Sequence, residues 1–485
     1  MSLVWKKIGE EGKTDWEYML FKWAVLKPML FFRGFFNLFL VYPLSFIVPF
    51  LRQRRLFEDQ NRLGMGHESF KLSGRKAHFC FEVSSEGELE QILPLVRALT
   101  SQGKSLEIVY CSASVEKKIQ QLAGQYPAHL KVQRLPLVTY MPAFIPFFGQ
   151  NLKNWVTAPC FIFCRYDFFP ELLLLAQAMP RGSVVLHATL KGKKWSGLHL
   201  FNYLYWRGLY GIFKRVVTAG PCDQKRFLGL GISAQNLFEL DLRTLQIGHR
   251  LQASTVSSSQ IFAPMNAYLE KLQKTKRGQR LILGSAYLQD LVIFKNQEFA
   301  QALGRGEYAV AIVPHRLDKD YVAQMMLATE SYLKQNGVDI APHMIGESRP
   351  ESAALNSPVV LVTKRGILCE LYAQFGQAYV GGGFERSIHS VLEPYLAGCR
   401  VMVGPMIHRS TEIEIISELS PESVVVFSSE NEMQTSIFKY LQQWRQGEAE
   451  QVKVQDKSRK LLESYRHNFE LLLEYLNQVN KEKSC

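Results

Sequence analysis

Twice along the chain, short apolar runs alternate with amphipathic stretches of helical spacing, and this alternation constrains the fold more than any other feature. In the first half, runs at 77–83, 105–110, 130–134, 159–164, 183–187, 214–218 and 236–240 read as strands, with helical stretches at 87–102, 171–179, 199–212 and 222–229 between them. The pattern resumes at Arg280. Strands at 280–284, 308–313, 358–362, 377–380, 400–403 and 423–427 alternate with helices near 290–302, 319–336, 366–375, 388–397 and 430–444. Strands joined by helices run parallel, and a parallel sheet needs helices over both faces. The expectation is an α/β chain of two doubly wound, Rossmann-like domains facing a cleft, with ligands at the carboxyl ends of the strands.

The expected divisions are a membrane-associating segment at 1–60, a first domain at 61–245, a linker at 246–275 around the serine-rich stretch 253–260, a second domain at 276–445 and a tail at 446–485. In that tail Leu461, Tyr465, Phe469, Leu472 and Leu476 keep helical spacing, as an amphipathic closing helix would.

A formal net charge of +13 over 485 residues favours an anionic partner: nucleic acid, an acidic membrane face or a phosphorylated substrate. The basic residues are scattered, without a zinc-finger or RNP-like pattern, so nucleic acid is not the expected partner. The eight cysteines form no CxxC pair and several sit in apolar runs, as reduced core cysteines do. No second Cys/His pair completes Cys160 and Cys164, and no metal is expected.

Residues 18–51 are dense in Phe, Leu, Val and Trp. The longest uncharged run, 34–51, is about the minimum for a membrane span, but it contains Pro43 and Pro49 and is followed by Arg52, Arg54 and Arg55. Its late start and the lack of a small-residue cleavage site argue against a cleaved leader. Three readings stand: a single anchor, a proline-broken hairpin in one leaflet, or an amphipathic arm packed on the protein. In the first two, the basic cluster holds the body on the cytoplasmic side.

Four places carry candidate chemistry. After the strand ending at Val380, Gly381, Gly382 and Gly383 allow a tight turn and close approach to a ligand. Ile388, Val391, Leu392 and Tyr395 follow at helical spacing, so strand, glycine turn and helix start together read as an anion site, with His389 and Glu393 on one helix face. After the first strand, Ser85, Gly87 and Glu88 open a helix. Glu88 there is either a general base or a helix-start carboxylate favoured by the dipole. Arg165-Tyr166-Asp167-Phe168-Phe169-Pro170 follows the strand ending at Cys164, and Asp167 is either a site residue or part of a helix cap. Lys191, Lys193 and Lys194 form a solvated loop or meet acceptor phosphates.

GGGF at 381–384, then Ile388-His389, Leu392-Glu393-Pro394 and Gly404-Pro405, resembles the nucleotide-sugar half of the Kdo (3-deoxy-D-manno-octulosonic acid) transferases, which have the GT-B fold. Ser85-Glu86-Gly87-Glu88, Gly284-Ser285, Pro314-His315 and Gly366-Ile367-Leu368 are similar to further elements of that family. The resemblance implies transfer of Kdo from CMP-Kdo to a lipid A precursor in lipopolysaccharide biosynthesis, inverting and without metal or cofactor. It also implies residence on the cytoplasmic face of a Gram-negative inner membrane, among its lipids. It makes Glu88 the base and puts Ser85, Gly87 and Asp167 on the acceptor side, where Lys191 would fall if the lysine run meets acceptor phosphates. Gly284, Ser285, Pro314, His315, Arg316, Gly366, Leu368, Gly381, Gly382, Gly383, Phe384, His389 and Glu393 fall on the donor side. Glu82, Glu86, Ser387 and Ser390 depart from the family pattern, as does Leu240 before Asp241-Leu242-Arg243. A GT-B enzyme using another nucleotide sugar, and a catalytically silent membrane-bound homologue, are the alternative readings.

Overall fold

A computed structural model of the chain describes residues 21–139, 152–165, 168–190, 199–256, 262, 265–346, 357–385, 387–408 and 410–481. The chain divides into two compact units, Met1–Leu242 with His467–Cys485, and Arg243–Arg466.

The first unit is built on seven parallel strands: β1 Phe79–Val83, β2 Leu106–Tyr110, β3 Leu130–Arg134, β4 Phe161–Cys164, β5 Ser183–Ala188, β6 Arg215–Thr218 and β7 Leu237–Glu239. Their spatial order is β3-β2-β1-β4-β5-β6-β7. The chain steps outward from β1 to β3 and then crosses to β4 on the other side, so β1 and β4 flank the reversal point where open α/β sheets bind ligands. β1, β2, β4 and β5 are buried along their whole length, as expected of strands covered on both faces.

The second unit repeats the plan with β8 Arg280–Ala286, β9 Ala309–Pro314, β10 His343–Ile345, β11 Val359–Val362, β12 Gln377–Val380, β13 Arg400–Val403 and β14 Val424–Val426. The order is β10-β11-β9-β8-β12-β13-β14, all parallel, and the reversal falls between β8 and β12. Thirteen of the strands lie where the apolar runs place them. The edge strand β10 was not anticipated, because its three residues, His-Met-Ile, carry no apolar run of strand length.

Two local expectations change. The serine-rich stretch read as a linker begins inside a helix, Leu242–Val256, which Arg250 ties to Glu370 through Nε and Nη2, both at 2.7 Å. The helix expected over 388–397 is confined to Leu392–Leu396, for a reason given below. The closing helix runs over Glu448–Lys481, and its residues from His467 onward belong to the first unit. There Asn468 donates to the Glu239 carbonyl at 2.9 Å and Arg181 to Asn480 at 2.7 Å.

At the other end of the chain, Lys22–Leu44 is helical throughout and is long and apolar enough to cross a membrane by length and composition. A second helix, Pro49–Gln60, follows it.

Candidate active site

In the first unit, Glu88 sits at the third position of the helix Glu86–Ser101, and a capping box fixes it there. The Ser85 hydroxyl accepts the Glu88 N–H at 3.3 Å, while Glu88 Oε2 accepts the N–H groups of Ser84 at 2.6 Å and Ser85 at 3.2 Å. The carboxylate is thereby held at the mouth of the β1 turn in one rotamer, and Glu88 is buried. Ser84 also donates its hydroxyl to Glu82 at 2.6 Å, so the Glu82 departure places a second buried carboxylate beneath the same turn. Gly87 has open space where a side chain would project. The next element, after β4, leaves the strand through Arg165, which adopts a positive φ of 68°. Asp167 and Lys191 lie outside the described residues.

The second unit brings most of the donor-side candidates together. β9, β8 and β12 are neighbours, so the residues that follow them meet at one carboxyl edge. Gly381 N–H donates to the Gly284 carbonyl at 2.8 Å, Met406 N–H to the Gly383 carbonyl at 2.9 Å, and His315 N–H to the Ala286 carbonyl at 3.0 Å. The glycines are used by geometry. Gly382 and Gly383 have φ of 87° and 80°; a side chain on Gly381 would collide with the Ser285 carbonyl, and one on Gly383 would stand 2.9 Å from the Gly404 backbone. Ser285 itself has φ of 50°.

Gly284 is closed from the other side by Tyr372, whose hydroxyl occupies the space of a methyl group. Tyr372 is buried and cannot swing away. Gly284→Ala is therefore expected to lower stability by about 1–3 kcal/mol, with part recovered when Tyr372→Phe is added; thermal melts of the two single variants and the double variant check it.

Above this floor, three rings stack. Tyr287 and His315 lie 4.8 Å apart, His315 and His389 4.5 Å, and Tyr287 and His389 5.8 Å between centroids. The Tyr287 hydroxyl and His389 Nε2 are 3.0 Å apart. Burial, with a smaller push from the charge of His315, holds His389 below the ordinary imidazole pKa. Tyr287 was not singled out in the sequence; a tyrosine just past the end of a strand gives no sign that it will stack with two histidines.

The carboxylate that organises this edge was also missed. Asp290, buried, accepts the Tyr287 N–H at 2.7 Å and the Tyr379 hydroxyl at 2.9 Å, and it takes a backbone hydrogen bond from Gly382. Burial pushes its carboxyl up to about 6 despite these donors.

The helix start after the glycines is not an open anion site. Glu412 Oε2 accepts the N–H groups of Val391 at 2.8 Å and Leu392 at 3.1 Å and the Ser390 hydroxyl at 3.0 Å, and Arg243 reaches Glu412 Oε1 at 3.0 Å. The protein's own carboxylate fills the place the sequence suggested for a ligand, and residues 387–390 stay non-helical. His389 thus precedes the helix that carries Glu393, and the two do not share a helix face. Arg316 turns to Asp318 at 3.0 Å and to the Tyr321 ring. Gly366, with φ of 78°, gives its carbonyl to Arg250 at 2.9 Å, just ahead of the helix opened by Leu368. Phe384 packs on the unit's core and Pro314 ends β9.

Comparison with known proteins bears out the family resemblance. Residues 58–241 match the family model for 3-deoxy-D-manno-octulosonic-acid transferase (kdotransferase). A 3-deoxy-D-manno-octulosonic acid transferase of Chlamydia muridarum is 20% identical over 361 residues, 74% of this chain and 76% of its own length. Among solved structures, a glycosyltransferase from Rickettsia africae has a TM-score of 0.50 at 11% identity, covering 84% of this chain and 100% of that one. A ugt transferase from Siraitia grosvenorii, solved with UDP, has a TM-score of 0.50 at 12% identity with the same coverage. The two parallel seven-stranded sheets are those of the GT-B glycosyltransferase fold.

Proposed function

We propose that this chain, a GT-B glycosyltransferase related to the Kdo transferases through residues 58–241, transfers Kdo from CMP-Kdo to a lipid A precursor. The observation that carries the reading is the family match over the unit that holds Glu88 in a fixed rotamer at the β1–β4 reversal point. The ring stack after β8, β9 and β12 adds a place for the donor in the second unit.

In this reading Glu88 takes the proton of the acceptor hydroxyl, which attacks the anomeric carbon with inversion. The bond to CMP breaks, and the phosphate gains one negative charge as it leaves. The donors at the helix start are already committed to Glu412. Stabilisation of that charge by hydrogen bonding therefore falls to His315 and His389, with Ser285 and the 381–383 turn shaping the approach. No metal ion enters the scheme, because hydrogen bonds from the imidazole rings and backbone dipoles serve in its place. The +13 balance suits a phosphorylated acceptor at a membrane face, and the N-terminal apolar segment suits a site on the cytoplasmic side of the inner membrane.

The test is transfer from CMP-Kdo generated in situ to a tetra-acylated lipid A precursor, beside titrations of CMP and UDP. Product, a preference for CMP and a rate unchanged by chelator are expected. A preference for UDP would favour another donor, and a rate lost to chelator would remove the metal-free scheme.

A further inference from the structure

The apolar helix Lys22–Leu44 is held to the first unit along its length. Leu26, Gly34, Asn37 and Ser45 are buried. Between the ends, Arg33 Nη2 pairs with Glu171 Oε1 at 2.6 Å, and Asn37 Nδ2 donates to the Val138 carbonyl at 3.2 Å. Beyond it, Arg54 pairs with Glu58 at 2.5 Å, and Glu58 accepts the N–H groups of Leu137 and Thr139 at 2.9 and 2.8 Å. The ties from residue 26 to residue 45 extend over roughly 28 Å at 1.5 Å per helical residue. A bilayer's hydrocarbon core is about 30 Å thick. Crossing it with this helix would carry the packed body, its strand-linking backbone and the Arg33–Glu171 pair into hydrocarbon, which is prohibitively costly.

The opposite face tells what covers it. Phe32, Phe35, Phe36, Phe39, Ile47 and Phe50 are all more than half exposed. Residues 21–57 contain no Asp or Glu. Cations stand beside rings at both ends: Lys27 Nζ is 3.0 Å from the Trp23 ring centroid, and Arg55 lies 4.2 Å from that of Phe46. Aromatic groups bordered by lysine and arginine match the headgroup level of an anionic leaflet.

We infer that residues 22–50 lie in the plane of one leaflet of an anionic bilayer, with Phe32, Phe35, Phe36 and Phe39 in the acyl region, and do not cross it. The segment before residue 21 and the carboxyl terminus then share one side of the membrane. This inference does not depend on the reaction proposed above.

The full chain is fitted with protease-cleavable tags at both ends and expressed in a Gram-negative host, and inverted inner-membrane vesicles are treated with protease. Cleavage of both tags is expected; protection of the N-terminal tag alone would mean a crossing helix and overturn the inference. In parallel, the purified chain is floated with vesicles of phosphatidylglycerol and phosphatidylethanolamine. Phe35→Asp with Phe39→Asp should weaken binding roughly a hundredfold at an unchanged melting temperature, since both side chains are exposed. Equal flotation of the double variant, or no flotation together with concentration-dependent dimerisation, would overturn it, the latter in favour of a second copy covering the face.

Discussion

Glu88→Gln should cost between about a hundredfold and ten thousandfold in the rate of Kdo transfer while leaving the melting temperature almost unchanged. The two effects separate because Glu88 has two possible jobs at one position. As the third residue of the helix Glu86–Ser101, it completes a capping box with Ser85, and glutamine completes the same box by offering an oxygen to the Ser84 and Ser85 N–H groups. Glutamine cannot take a proton from an attacking hydroxyl. A variant that melts like the wild type but does not turn over therefore assigns Glu88 to the chemistry. Ser85→Ala is the complementary control: it removes the cap, costs about 1 kcal/mol of stability and should leave most of the turnover. Measuring turnover at saturating donor and acceptor for both variants, with melting curves, checks the assignment. Unchanged turnover in Glu88→Gln would keep the enzyme and reduce the residue to a cap, whereas no turnover in the wild type would revive the silent-homologue reading.

How far the sequence spoke for the structure differs between backbone and side chains. Strand positions were legible because a buried parallel strand must be an uninterrupted apolar run, as in β4, Phe-Ile-Phe-Cys, or β11, Val-Val-Leu-Val. The turn at 381–383 was legible because only glycine tolerates its dihedrals and its neighbours. The helix after it misled, since Ile388, Val391, Leu392 and Tyr395 have helical spacing whether or not the first turn forms. What decided the matter was Glu412, more than twenty positions beyond Ser390, a partner that periodicity does not reveal. Tyr287 and Asp290 were silent for a related reason. Each looks ordinary in Tyr-Leu-Gln-Asp-Leu, and each gains meaning only because β8 and β12 are adjacent in the sheet.

Asp290 leads to the second large expectation. Wild type should lose stability relative to Asp290→Asn as pH rises from about 4 to 7, by roughly 3 kcal/mol in total, and the difference should be flat above that range. The sign follows from the direction of the shift. Burial raises the folded carboxyl from its ordinary value near 3.8 to about 6, so the folded state holds a proton that the unfolded chain releases. That proton's stabilisation is fully present below the unfolded value and is lost as pH passes through 6. The groups facing the carboxyl are Tyr379 from β12, the Glu430 carboxylate from the helix Glu430–Gln446, which adds to the rise, and Tyr321 from the helix Lys319–Gln335. Asparagine does not titrate, so its melting profile should lack this slope. Its amide must also turn an N–H toward one of the donors that Asp290 now accepts, from Tyr287, Tyr379 or Gly382, and so loosen either the turn that carries the ring stack or the glycine turn. Affinity for CMP at pH 8 should then fall about tenfold. Melting curves from pH 4 to 8, with CMP titrations of both proteins, check both parts. A shifted melting profile with unchanged CMP affinity would leave Asp290 a core acid, whereas a joint loss would make it the residue through which β8 and β12 hold the donor edge in shape.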